Sequence, residues 1–320
     1  MKPDETRKRV CEIDYLKGIL ILLMVTFHLV YIEELYPYAK QVVYTFHMPC
    51  FLFFSGYLMN TQKDWEGFLR TLGFLLIPYT IMESGYILMA SMLSIKEAIE
   101  ELTVTVWIEK LFLHPIGPYW YLQTMVICGL LYYIALRYLY VTPLSRIIIL
   151  GISYYYLAIF TGAVSFVNCM YFLAGAVLRR SNVRFLELFQ QSVFSVIAFL
   201  LLIMTPHNLT ADTVGSVLIV FFFVSSGRFS FQYLPTAIRK TIECIGQNTL
   251  PVFLFSPIFT FMCKVIVPFF RFDSSGILFL VISLVLCVSG SLIIGMIIDT
   301  TGMSSYLIGR TFVIRKTAPL

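Results

Sequence analysis

Apolar stretches recur along the whole chain, separated by short polar connections. A helix needs about 20 predominantly apolar residues to cross ~30 Å of hydrocarbon. Ten segments meet or approach that length: 13–32, 41–60, 71–93, 119–139, 144–161, 164–178, 187–204, 212–226, 248–269 and 277–298. The segments at 164–178 and 212–226 are the shortest. No room is left between them for a soluble domain of about a hundred residues. The pattern therefore predicts an all-α, polytopic membrane protein of about ten transmembrane helices. It is read as one integral-membrane domain over 1–320, with tails at 1–12 and 300–320. The longest connections are 94–118 and 227–247. The first has apolar residues at helical spacing and is expected to lie along the membrane surface as a rim or lid. Prolines at 49, 78, 251 and 257 fall inside spans, where they free backbone groups for a polar cavity. No internal repeat stands out.

Composition agrees with that pattern: 59% of residues are hydrophobic, 13% are charged, and the mean hydropathy is +0.84. The N-terminal MKPDETRKRVCEIDYLKG reads as a basic cytoplasmic start to a retained helix, not as a cleaved signal, because its apolar run is long and charged. With the N-terminus inside, 17 of the 23 Lys and Arg fall on inner connections, Lys17 lies in a span, and only Lys40, Lys96, Lys110, Lys264 and Arg271 remain outside. That asymmetry predicts an even number of crossings with both termini cytoplasmic. The net charge of +5 then reports orientation and contact with membrane lipid, and no nucleic-acid partner is expected. The seven cysteines are scattered without a CxxC pair, which gives neither a disulfide framework nor a metal site.

Ionisable groups inside a bilayer are costly and mark sites. The first span holds three: Asp14, Lys17 and His28. Eleven residues separate Lys17 from His28, which brings them within ~20° of one helical face and ~16 Å apart along the axis. Asp14 falls about 40° to the other side. The second span runs back and carries His47 at a depth similar to that of His28. A neutral imidazole there suits a general base, and a lone buried histidine suits packing equally well. In the third span, Glu83 lies near the midplane, either as a paired structural carboxyl or as support for the histidines. Ser55 and Gly56 read as small residues for close helix packing, Asn248 as a cap on its helix, and Trp120 and its neighbours as an aromatic belt or an acceptor contact.

The runs IDYLKGILILLMVTFH and TFHMPCFLFFSGYL resemble the opening of bacterial membrane O-acyltransferases of the acyltransferase-3 family. Further similar motifs follow in order: LLIPY (Leu75–Tyr79), PYWYLQ (Pro118–Gln123), YFLAGAVL (Tyr171–Leu178) and IGQNTLPVFLF (Ile245–Phe255). The resemblance implies transfer of an acyl group, usually acetyl, from acyl-CoA to a hydroxyl of a sugar, glycan or lipid-linked saccharide, in a bacterial inner membrane and without a metal. It puts His28, with His47 and Glu83, in the catalytic role. Lys17, Arg70, Arg137, Arg179 and Arg180 are the candidates for the phosphates of coenzyme A. Tyr79, Trp120 and Gln123 are the candidates for the acceptor. Three positions depart from the pattern: Lys17 replaces an arginine, Arg70 stands where an arginine pair is usual, and Ser256 stands where many members carry a histidine. Two other readings stay open, a polytopic transporter and an acyl carrier that passes acetyl across the membrane to a separate transferase.

Overall fold

The computed structural model describes residues 10–92, 98–308 and 312–314, and all regular structure among them is helical. The basic N-terminal run, Lys96 and the C-terminal cations Arg310, Arg315 and Lys316 lie outside the described residues. In chain order the helices are α1 (Cys11–His28), α2 (Val30–Leu35), α3 (Pro37–Leu58), α4 (Trp65–Met92) and α5 (Val104–Phe112). They continue with α6 (Trp120–Tyr138), α7 (Pro143–Thr161), α8 (Phe166–Arg180), α9 (Phe185–Leu188) and α10 (Val193–Ile203). The last are α11 (Val214–Tyr233), α12 (Thr236–Gln247), α13 (Thr249–Ile266), α14 (Ile277–Thr300) and α15 (Ser304–Leu307), with 3₁₀ turns at Pro206–Leu209 and Val267–Phe270.

Each apolar segment seen in the sequence folds as helix. Among the described residues, five helices are long and apolar enough to cross a membrane: Trp65–Met92, Pro143–Thr161, Val214–Tyr233, Thr249–Phe270 and Ile277–Thr300. They also expose large apolar side chains, such as Ile152 and Phe160 on α7 and Val281 and Val285 on α14. In water this would be a liability; against lipid tails it is the expected surface. Together with the family described below, this makes the chain a multi-pass membrane protein.

Two segments differ from the expected spans. The 13–32 segment is not one helix, because Leu29 adopts extended backbone (φ −80°, ψ 103°) between α1 and α2. Thr26 Oγ1 donates to the Leu22 carbonyl at 2.9 Å, and the His28 ring bonds the Met24 carbonyl at 2.7 Å. The Leu29 N–H then bonds the Thr26 carbonyl at 3.3 Å, an i−3 contact that closes α1. The 187–204 segment is also interrupted. Its helix α10 begins only at Val193, after Ser192 accepts the Phe194 N–H, and eleven residues span only ~16 Å. In compensation α11 runs through Tyr233, well beyond the expected end at 226.

The chain divides into two compact units. The first comprises Met1–His47, Phe189–Gly295 and Ile314–Leu320, and the second Met48–Leu188 and Met296–Val313, so the boundaries cut α3 and α14. In the first unit, α12 packs tightly on the start of α1. A Cβ at Gly246 would overlap the Asp14 carbonyl oxygen, and one at Gly18 would overlap that of Ile242. Phe46 stacks on Phe223 with ring centroids 4.1 Å apart, and Tyr15 meets Phe231 edge-on. The second unit uses the same device where α3 crosses α8: a Cβ at Gly56 would strike the Phe172 carbonyl, and one at Gly175 the Phe53 carbonyl. Small residues matter here because lipid offers no hydrophobic drive between helices, leaving close backbone packing to hold them. Phe68 stacks on Tyr133 at 3.9 Å, with Leu72 beside them. Five of the seven cysteines are buried core residues, as their scatter predicts. Asn248 precedes α13 but gives it no side-chain cap; its amide donates back to the Cys244 carbonyl at 3.0 Å.

Candidate functional site

In the first unit, the last turn of α1 and the N-terminal half of α3 bring His28 and His47 to one ring. The Tyr44 ring lies 6.4 Å from His28 and 5.0 Å from His47, centroid to centroid. The i,i+3 spacing of Tyr44 and His47 puts both on one face of α3, so this neighbour was legible as a helical pair. Tyr44 donates its hydroxyl to the Phe27 carbonyl at 3.2 Å.

Both imidazoles are oriented by their own helices. His28 Nδ1 lies 2.7 Å from the Met24 carbonyl, and His47 Nδ1 lies 2.9 Å from the Val43 carbonyl. A carbonyl only accepts, so each Nδ1 carries the hydrogen and each Nε2 presents a lone pair. The sequence suggested a distant side chain as the orienting partner of His28, whereas the structure gives it a backbone carbonyl one turn back. His28 is half-buried, while His47 is 4% exposed. Of the two, His28 is therefore open to a ligand. Close by, Lys40 pairs with Glu33 at 2.5 Å and lies 5.2 Å from the centroid of the Tyr44 ring.

Lys17 lies eleven residues back along the unbroken α1. Its ammonium is 3.0 Å from Asp14 Oδ1, and the two side chains retain 15% and 8% exposure. The lysine and the aspartate of the polar stripe thus form an i,i+3 pair under the α1–α12 crossing. Ser256, on α13, is buried.

The second unit gathers three of the other predicted residues around the last turn of α5 and the segment that follows it. Tyr79 donates its hydroxyl to the Leu111 carbonyl at 2.6 Å, and Gln123 Nε2 donates to the Phe112 carbonyl at 2.6 Å. Glu83, fully buried, accepts the Ile116 N–H at 2.7 Å. The rim seen in the sequence is therefore tied down by side chains from α4 and α6, and Gly117 closes it with φ +68°. Of the two readings of Glu83, this favours the structural carboxyl. Trp120 opens α6 half-buried, beside the fully buried Tyr119. Arg70, Arg137 and Arg180 are exposed, and the Arg179 guanidinium lies 5.7 Å from the Tyr57 ring centroid. Ser55 donates to the Phe51 carbonyl and shares a 2.6 Å bond with Tyr121. Among the described residues no cluster of three or more His, Cys, Asp or Glu is arranged to hold a metal.

Residues 12–296 match the family model described as an acyltransferase domain, Acyl_transf_3. The match covers most of the chain, which belongs to the acyltransferase-3 family and is a membrane acyltransferase. No curated protein and no solved structure matches it.

Proposed function

We propose that this acyltransferase moves an acyl group, acetyl in the first instance, from acyl-CoA to a hydroxyl of a sugar, glycan or lipid-linked saccharide, with His28 as the general base. One observation carries the assignment: Nδ1 of His28 is committed to the Met24 carbonyl, so Nε2 is a positioned acceptor on a residue that is only partly buried. A sugar hydroxyl is a poor nucleophile until its proton is taken. In the proposed reaction Nε2 accepts that proton as the hydroxyl oxygen bonds to the thioester carbonyl carbon. The C–S bond then breaks, and the imidazolium returns the proton to the departing CoA thiolate. His47, more buried and bonded to its own helix, packs on the other side of Tyr44 and holds the site's shape.

Orientation supports a donor arriving from the cytoplasm. The charge asymmetry puts the Lys17 end of α1 inside and the His28 end ~16 Å further out. An extended pantetheine arm covers that distance. Lys17 is the proposed phosphate contact on this path. In this reading the ten helical segments are ten crossings of a bacterial inner membrane, with both termini cytoplasmic.

The test is His28→Ala, purified in detergent and assayed for acyl transfer from acetyl-CoA. A positioned general base is worth about 10²–10⁴-fold in rate, and a loss of that size is expected. Retention of more than about a tenth of wild-type turnover at saturating donor would assign the proton transfer to another group.

A further inference from the structure

Beside the two imidazoles, the first unit contains an open recess of about 390 Å³. It is lined by Pro37, Lys40, Gln41, Tyr44 and Thr45 of α3, together with Leu209 and Ala211 from the turn before α11. Its volume is at the lower end of the ~300–1,000 Å³ of small-molecule sites, enough for one or two sugar rings. Tyr44 is common to the recess and to the histidine pair, and it is 41% exposed. A ligand seated against Tyr44 is thus within one ring of His28.

We infer that this recess holds the acceptor, a hydroxyl-rich saccharide; the inference rests on the general-base role proposed for His28. The lining suits that chemistry. An exposed aromatic face accommodates the apolar face of a pyranose, and Gln41 offers both an amide donor and an acceptor to ring hydroxyls. Lys40, held at the rim by Glu33, supplies a cation to an acidic or hydroxylated substituent. Thr45 is already committed, donating to Gln41 and Leu209 carbonyls at 3.0 and 3.1 Å, and so fixes the α3 side of the recess against residue 209. By contrast, Tyr79 and Gln123 spend hydrogen-bonding groups on the last turn of α5.

Two variants test this, neither substituting a histidine or Tyr44. Ala211→Trp fills the recess from an exposed position, and Gln41→Ala removes an amide without adding bulk. Cells expressing wild type, each variant or His28→Ala are compared by mass spectrometry for acyl groups on solvent-extracted lipid-linked saccharides and on finished glycans. The purified proteins are titrated with acetyl-CoA by calorimetry. Ala211→Trp is expected to cut acylation at least about tenfold and Gln41→Ala about three- to tenfold, with acetyl-CoA affinity held within about twofold. The saccharide fraction that loses its acyl groups identifies which source is used. Unchanged acylation in Ala211→Trp overturns the inference, and so does a parallel loss of acylation and acetyl-CoA affinity in both variants. Equal acylation in wild type and His28→Ala instead overturns the general-base reading, and that arm does not involve the recess variants.

Discussion

Lys17 has two possible duties, and they separate in a double substitution. Its ammonium lies 3.0 Å from Asp14 Oδ1 with little of either side chain exposed. Lys17→Ala therefore takes its ammonium from a nearly buried carboxylate. Removing one partner of a fully buried pair costs about 3–5 kcal/mol, and the residual exposure puts the expected loss near the bottom of that range, about 3 kcal/mol. If Lys17 also contacts a CoA phosphate, its removal costs a charge-assisted hydrogen bond of about 1.5–3 kcal/mol, or roughly 10- to 150-fold in Kd. The single variant confounds these losses. Asp14→Asn/Lys17→Ala does not, because it removes the carboxylate charge as well while leaving the phosphate contact absent. Thermal unfolding in detergent should show the single variant destabilised and the double variant largely restored. Calorimetric titration with CoA should show both weakened alike, and Lys17→Arg close to wild type. CoA affinity equal to wild type in the double variant would refute the donor role and leave Lys17 as the partner of Asp14.

Glu83→Ala should leave the Ile116 N–H buried without its 2.7 Å acceptor, costing about 1–3 kcal/mol and raising hydrogen exchange across 111–117, while Glu83→Gln keeps an acceptor and most of the protection. Asp273, in the turn before α14, is held below the ordinary carboxylate range by the Ser275 hydroxyl and then by the Leu278 N–H. A depressed folded-state value stabilises above the unfolded-state value and is lost as pH falls through the folded one. The protection factor of the Leu278 amide, its exchange corrected for the intrinsic pH dependence, should therefore be flat at neutral pH and fall only in acid, and Asp273→Asn should abolish that acid step.

The helical character, the membrane class and the polar stripe were legible in the residues themselves. Apolar length and charge placement are local properties, and lipid demands that every spanning segment satisfy its own backbone. The same holds for the family, because its motifs are contiguous runs from Ile13 to Phe255. The short spacing Tyr44–His47 was also readable, since a helix fixes what lies three residues away. The break at Leu29 was not, because no Pro or Gly marks it between residues 20 and 35. Nor was the division of labour among the candidates. Polarity in apolar helices marked Tyr79, Glu83 and Gln123 as candidates, but it could not show that each bonds a backbone group in the last turn of α5 or just after it. The recess joins α3 to residues more than 160 positions away. Residue type and helical spacing placed the imidazoles on their helices; which carbonyl orients each ring, and which groups share its cavity, depended on how distant helices pack, and that was decided only by the tertiary structure.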